Sequence, residues 1–395
     1  MKGKIFFLIT CVFTMLFFLS FSAASAETKS GDKVFKIGLM TSITGFFAPV
    51  TQPQYAAIKA TEEILNERGG ISVNGQKYKI TIMAQDDQSS PTGAVTAFAK
   101  LLQDDIKFMV SSMFPPANMA ISKNAEQNKV IRIMAVGLGK TQLNANTKYN
   151  FFASATVYNI KPAYDYFVKT YPDKKRIAIV LPDNPETDFV RDNLKKVIDS
   201  HNLPIVFDDV YAEGTQDFNP IITKALASNP DAIDLGFCIP PWEKAIITGA
   251  RDLGFKGPIF GSLLLGDPHV LNSMISPNHA YDIFSTGSVD VTSPKMPPMV
   301  KELGKKLKQD GTIFNMDSTT LLEAIYPLLQ AIEKAQSFDP DKVVATFENM
   351  KNIDTLYGPG AMGGQESFGI NHVIIRAGTL SRIVNGKIEF EYMEQ

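Results

Sequence analysis

Short apolar runs alternate with amphipathic stretches along residues 34–135. Residues 34–40 and 78–84 are compact apolar runs, which predict two strands. Between them, apolar or small residues recur at the spacing of one helix face, at Ala57, Ala60, Thr61, Ile64 and Leu65. Gly69-Gly70 is typical of a helix end. The pattern therefore predicts a strand, a helix and a strand, with one face of the helix packed on a sheet.

The same alternation continues towards the carboxyl terminus. Further strands are predicted at residues 108–111, 130–135, 177–181, 205–211, 232–237 and 258–260. Helices are predicted between them, including residues 117–128, 188–200, 219–227 and 242–253. Because helical crossovers join parallel strands, we predict an α/β fold with two doubly wound parallel-sheet lobes.

The last part of the chain does not predict a third domain. Helices are predicted at 300–309, 318–335 and 340–350, and we expect Pro327 to break the second of them. A glycine-rich bend at residues 357–364 follows, and residues 372–376 and 388–392 then alternate like an antiparallel strand pair around Asn385-Gly386. These pieces should complete the two sheets and form a multi-strand hinge. We expect an N-terminal lobe of residues 34–155 plus 288–360 and a C-terminal lobe of residues 156–287 plus 361–395.

The start of the chain has the pattern of a secretion signal. Two lysines precede an apolar run at residues 5–21, and Ala24 and Ala26 fit the small residues required before a cleavage site. We predict a periplasmic protein whose signal peptide, residues 1–26, is cleaved near Ala26. An uncleaved membrane anchor is the alternative, because the apolar run approaches the length that spans a bilayer.

Composition excludes several classes of protein. The chain has 395 residues, of which 45% are apolar and 20% charged, as expected of a globular protein with two domains. Basic and acidic residues number 39 and 41 without a block of either sign, so we expect no nucleic-acid partner. Only Cys238 would remain after signal cleavage, so we expect no internal disulfide and a buried, apolar role for this side chain.

The sequence contains no pattern that predicts catalysis, a metal site or a cofactor. The four histidines have no companion at ligand spacing. We expect Asp86-Asp87, at a strand end, to accept hydrogen bonds from a loop. Gly137-Leu138-Gly139 lacks the third glycine of a dinucleotide fingerprint, and no serine lies in a nucleophile elbow. We therefore expect a binding protein without a cofactor and not an enzyme.

Several segments in order resemble the leucine/isoleucine/valine-binding family of type I periplasmic binding proteins. They are Lys36-Ile37-Gly38 with Thr44-Gly45, the helix end at residues 66–71, the strand end Asp86-Asp87, and residues 249–254. The resemblance implies a monomeric receptor that captures a small solute between two lobes and delivers it to an ABC permease in the inner membrane. Two alternatives stay open: a sensory protein of the same fold that reports to a membrane partner or regulator, and, more distantly, a secreted α/β hydrolase.

The ligand loops depart from the pattern of this family. Phe114-Pro115 and Gly137-Leu138-Gly139 replace the hydroxyl groups that hold the ligand carboxylate in the family, and Ile239 and Leu263 lie where its ammonium-binding residues are expected. The resemblance then implies a more apolar solute: an aromatic or branched aliphatic acid, or an apolar amino acid if Glu186 or Asp183 binds the ammonium group. The candidate ligand-binding residues are Thr44, Phe46, Phe47, Val50, Phe114, Pro115, Gly137, Leu138, Gly139, Tyr158, Glu186, Ile239, Trp242 and Leu263.

Overall fold

The computed structural model describes residues 33–294 and 296–393. The strands are β1 (Val34–Thr41), β2 (Ile71–Val73), β3 (Gln76–Asp86), β4 (Phe108–Val110), β5 (Ile131–Met134), β6 (Asn150–Phe152), β7 (Ile177–Asp183), β8 (Ile205–Ala212), β9 (Ala232–Asp234), β10 (Ile259–Gly261), β11 (Ile283–Thr286), β12 (Ile353–Thr355), β13 (Gly358–Gly363), β14 (Val373–Arg376), β15 (Gly378–Val384) and β16 (Lys387–Met393). The helices are α1 (Ala48–Ala56), α2 (Ile58–Glu67), α3 (Pro91–Gln103), α4 (Pro115–Gln127), α5 (Ile160–Thr170), α6 (Thr187–Ser200), α7 (Asn219–Ala227), α8 (Pro240–Asp252), α9 (Pro268–Met274), α10 (Pro298–Gln309), α11 (Thr320–Ala335), α12 (Pro340–Phe347) and α13 (Gln365–Phe368). Short 3₁₀ turns lie at Thr156–Asn159 and Met316–Thr319.

The strands of the described residues form two mixed sheets, each of which belongs to one lobe. The first sheet has the order β12-β13-β14-β6-β5-β4-β1-β3-β2, and the second has the order β16-β15-β11-β10-β9-β7-β8. The central strands of both sheets are parallel, while β2, β13, β15 and β16 pair with antiparallel neighbours near the edges. The predicted fold of two α/β lobes is confirmed, with sheets that are parallel at their centres and antiparallel near their edges.

The final hairpin follows the predicted turn chemistry. Strands β15 and β16 pair antiparallel around Asn385 and Gly386. Both turn residues have positive φ angles, 51° and 74°, which a two-residue hairpin turn of this twist requires. The predicted turn and its second strand are therefore confirmed, but the first strand is β15, because residues 373–376 form β14 of the other sheet.

The chain changes sheet at three places within the described residues: between β6 and β7, between β11 and β12, and between β14 and β15. Three crossings form a hinge of several segments. Strand β14 pairs with β6 of the first sheet, although it lies beyond the expected boundary at residue 361. We keep the division of the chain into lobes as a proposal and place its last crossing at Ala377.

Helix α11 runs unbroken through Pro327, so the predicted break is wrong. A proline inside a helix costs about 3 kcal/mol through its missing N–H and its ring. Leu321, Ile325 and Leu328 are fully buried in the core of the first lobe, and each such side chain contributes about 1.5–3 kcal/mol. Packing of the apolar face therefore outweighs the local cost of the proline.

No helix in the described ranges is long and apolar enough to cross a membrane. The predicted signal peptide, residues 1–26, lies outside the described residues and stays a prediction.

Candidate functional site

A cavity of about 130 Å³ lies where the two sheets point their strand ends at each other. Met113 follows β4, Val136 follows β5 and Leu264 follows β10, and all three line this cavity. The three crossing segments also contribute, for example through Tyr158 and Arg376. Loops at the carboxyl ends of parallel strands are the usual place for a ligand in doubly wound sheets. The cavity between the lobes therefore lies at the carboxyl ends of the parallel strands, where this fold is expected to bind a ligand.

Much of the cavity wall is apolar. Methionine and aliphatic side chains cover it from both lobes and from the crossings, at Met113, Val136, Leu264, Val289, Met316, Ile374 and Ile375. An apolar cavity of about 150 Å³ can hold a benzene ring. The volume of the cavity therefore fits a solute with one ring or a short branched chain.

An ion pair forms the polar wall next to the hinge. The Arg376 guanidinium pairs with the Glu323 carboxylate, and its centre lies 4.3 Å from the centroid of the Tyr357 ring. The Tyr357 hydroxyl lies 2.7 Å from the Thr319 hydroxyl. Burial raises the pKa of the Glu323 carboxyl, and the charge of Arg376 opposes that rise. Arg376 and Glu323 thus neutralise each other at the cavity surface.

Asp317 is a further charged residue of the cavity wall. It belongs to the 3₁₀ turn Met316–Thr319 and is partly accessible. Burial, with a contribution from Asp267, raises the pKa of the Asp317 carboxyl to about 7. The Met316 N–H of the same turn donates to the Asp267 carboxylate of the second lobe at 2.9 Å. The turn is therefore fixed at the boundary between the lobes.

Apolar side chains of both lobes meet beside the cavity in a cluster that we call the aromatic clasp. It consists of Phe46, Phe47 and Phe114 from the first lobe and Ile239 and Trp242 from the second. The centroid of the Phe114 ring lies 5.4 Å from that of Phe46 and 5.5 Å from that of Phe47, within the range of favourable aromatic pairs. A void of only about 20 Å³ remains between these side chains. The two lobes are therefore in contact through the aromatic clasp.

Glu186 provides a polar contact between the lobes. Its carboxylate accepts hydrogen bonds from the Thr141 N–H at 3.0 Å and from the Thr141 hydroxyl. The side chain is buried, and burial raises its pKa, while hydrogen bonds from Thr141 oppose that rise. The carboxylate is therefore already used by the first lobe.

The candidate residues predicted from the sequence fall into three places. Tyr158 lines the 130 Å³ cavity. The void inside the clasp is lined by Phe46, Phe47, Phe114, Pro115, Leu138, Ile239 and Trp242, and Val50 packs against the same apolar cluster. Thr44 lies outside both, exposed, with its hydroxyl donating to Asp86 at 2.6 Å.

The other three candidates, Gly137, Gly139 and Leu263, line neither the 130 Å³ cavity nor the void inside the clasp. A Cβ atom at Gly137 would lie 2.1 Å from the Phe152 ring, and one at Gly139 would lie 2.1 Å from the Glu186 carboxylate. Both glycines therefore allow close approach of neighbouring groups. Leu263 is fully buried in the core of the second lobe, and its neighbour Leu264 is the residue that reaches the cavity.

Sequence reasoning missed the three charged residues of the cavity wall, Asp317, Glu323 and Arg376, together with Tyr357. All four lie in the last part of the chain, which was expected to complete the sheets. One signal was present: Arg376 directly follows the apolar run of β14, and the end of a buried strand is where functional side chains concentrate.

Two smaller interpretations of the sequence are confirmed. The Asp86 carboxylate accepts the Ile43 N–H at 2.9 Å, and the Asp87 carboxylate accepts the Ser42 hydroxyl at 2.6 Å, so the pair positions the loop after β1. Cys238 is buried within an apolar cluster of the second lobe.

Comparisons with known proteins extend over nearly all of the described chain. The sequence model of the family described as periplasmic binding protein matches residues 34–387. The Leu/Ile/Val-binding protein homolog 3 of Brucella melitensis biotype 1 is 22% identical over 347 residues, which cover 86% of this chain and 90% of that protein.

Two solved structures show the same fold. The branched-chain amino acid transporter substrate binding protein LivJ of Streptococcus pneumoniae, in complex with isoleucine, has a TM-score of 0.73 and 17% identity, covering 91% of this chain and 99% of that one. A solute binding protein of an ABC transporter from R. palustris, in complex with 4-hydroxybenzoate, has a TM-score of 0.74 and 19% identity, covering 92% and 96%.

Proposed function

The chain belongs to the periplasmic binding protein family, and from that membership we propose that it is the solute receptor of an ABC importer. It captures one small, mainly apolar solute between its two lobes and presents the closed complex to a permease. The solute is bound without chemical change and without a cofactor.

The cavity between the lobes is the observation that carries this proposal. It is bounded by loops of both sheets and by the crossing segments, so that a bound solute touches both lobes at once. A solute that contacts both lobes stabilises the closed state over an open one, because only the closed state offers all of the contacts. Such a ligand-dependent change of shape is what a permease can recognise.

The volume supports a solute of limited size. A cavity of about 130 Å³ fits one ring or one branched chain and is too small for a long aliphatic tail. Two structures of the same fold hold solutes of this kind, 4-hydroxybenzoate and isoleucine. We therefore keep the predicted classes, aromatic or branched aliphatic acids and apolar amino acids, as the first solutes to test.

A thermal-shift screen of the protein without its predicted signal tests the proposal. A solute present at 100 times its Kd stabilises the native state by about 2.7 kcal/mol and raises the Tm. Met113→Trp should abolish the shift, since Met113 lines the cavity and a larger side chain fills it. Met119→Trp is the matched control, because Met119 lies on α4, the helix that follows the Met113 loop, and is 40% exposed.

A shift that survives Met113→Trp would move the binding site away from the cavity and contradict the proposal. Uptake of the labelled solute into cells with and without the gene then separates import from sensing. If the protein binds the solute but cells with and without the gene take it up equally, the importer role is refuted.

A further inference from the structure

We infer that the solute carries a cationic amino group and that Asp317 is the residue that binds it. This inference rests on the proposed function, because it assigns a charge to the solute of the same cavity.

Asp317 is available to a ligand in a way that the other charged groups of the cavity are not. Among the described residues no side chain or N–H donates a hydrogen bond to its carboxylate, and the partly buried residue lines the cavity. The Thr320 hydroxyl donates to the main-chain carbonyl of Asp317 at 2.8 Å, which leaves the carboxylate oxygens free. A charge in a confined site without a partner is costly, and an ammonium group would remove that cost.

The turn that carries Asp317 is held rigidly. The Asn315 side chain accepts the Ser318 N–H at 3.1 Å, and the Ser318 hydroxyl accepts the Asn315 N–H at 3.2 Å, a reciprocal capping arrangement. Together with the bond from Met316 to Asp267, these contacts fix the position of the carboxylate before any solute arrives. A preorganised charge binds its partner without an ordering cost.

The remaining charges of the site are already paired. Arg376 is engaged by Glu323 and by the face of Tyr357, and Glu186 by Thr141. The Arg376 Nε has no hydrogen-bond partner but is buried, so an entering carboxylate would have to compete with Glu323 for the rest of the guanidinium. A solute that carries only a negative charge is therefore disfavoured by this wall of the cavity.

The surroundings of Asp317 are acidic as well. Asp267 lies beside it, and Glu243 of the second lobe is fully buried and accepts the Gly266 N–H at 2.5 Å. Burial, with smaller contributions from Asp317 and Asp267, raises the pKa of Glu243 to about 8. Glu243 is therefore mostly uncharged at neutral pH, and of these three carboxyl groups Asp317 is the one that lines the cavity and can meet a cation there.

The opposite wall defines the rest of the solute. Met113, Val136 and Leu264 offer an apolar surface for a ring or a branched chain. The solute class is therefore a small apolar amine, in which the amino group faces Asp317 and the hydrocarbon part faces these three residues.

Calorimetric titration with molecules of nearly equal shape and different charge tests the inference. The probes are benzylamine, benzyl alcohol and benzoate, with isopentylamine, leucine and phenylalanine as further arms. We expect benzylamine to bind at least tenfold more tightly than benzyl alcohol, and benzoate to bind most weakly. Asp317→Asn should remove the preference for the amine, while Asp310→Asn, an exposed acidic residue of the same lobe, should leave it unchanged.

The outcomes separate the two proposals. Tighter binding of benzoate than of benzylamine, or an amine preference that persists in Asp317→Asn, would overturn the inference and leave the proposed receptor function intact. Absence of binding by every probe and every amino acid would overturn the receptor function itself and the inference with it. The comparison among probes uses the unmodified protein, so it holds even if the variant does not fold.

Discussion

Replacing Ile239 with alanine should weaken solute binding by opening the protein. Ile239 belongs to the second lobe, is 8% exposed, and lies in an apolar cluster whose other buried members come from the first lobe. In an open state those partners withdraw and the side chain becomes exposed. The substitution therefore removes a contact that exists only in the closed state, and it acts on the equilibrium between the two states.

The expected magnitude follows from the atoms that are lost. Isoleucine to alanine deletes three side-chain carbons, each worth about 0.8 kcal/mol when fully buried, for an upper limit of about 2.4 kcal/mol. Part of that burial is against Trp242 of the same lobe and persists after opening. We therefore expect a loss of about 1–2 kcal/mol, which corresponds to an affinity about 5- to 30-fold weaker.

Two measurements check this prediction. Calorimetry gives the Kd of the solute found in the screen, and small-angle X-ray scattering gives the fraction of closed molecules through the radius of gyration. Leu253→Ala is the control, because Leu253 follows the same helix α8 and is 54% exposed. An Ile239→Ala variant whose Kd and scattering both match the unmodified protein would refute the role of the aromatic clasp in closure.

Three further predictions concern other residues of the site. Arg376→Met should lower the free energy of unfolding by about 3–5 kcal/mol, because it leaves the buried Glu323 charge unpaired; denaturant titration measures this loss, and a change below about 1 kcal/mol would contradict it. Affinity for an amine should rise as the pH increases from 6 to 8, because burial and the nearby Asp267 raise the pKa of Asp317 to about 7 and the cation binds the ionised carboxylate. Calorimetry at several pH values should show this rise and its absence in Asp317→Asn. Gly137→Ala should destabilise the protein by about 1–3 kcal/mol, because the new Cβ would overlap the Phe152 ring; an unchanged Tm would show that the ring can move away.

The central strands were predictable because buried parallel strands leave continuous apolar runs in the sequence. Strands β1 and β7 match such runs to within two residues at either end. Strand β6 and helix α5 were missed. The strand has only three residues, and the helix contains a proline at its third position, so neither gives a clear local signal.

The sequence predicted only those residues of the site that lie in loops directly after predicted strands. Phe46, Phe47 and Phe114 lie directly after predicted strands, so their meeting at one edge could be expected. Asp317 and Arg376 come from segments that return to the first lobe after strand β11 of the second sheet. Local sequence patterns do not show which residue of a returning segment faces a cavity, because that depends on tertiary packing.

The three crossings between the sheets also determine when each lobe can fold. Val373 of β14 pairs with Phe152 of β6, so the first sheet gains its last strands only after nearly the whole chain has been synthesised. Contacts between residues so distant in sequence slow folding, because a long loop must close before they form. A newly made chain therefore lacks a complete first lobe until translation ends.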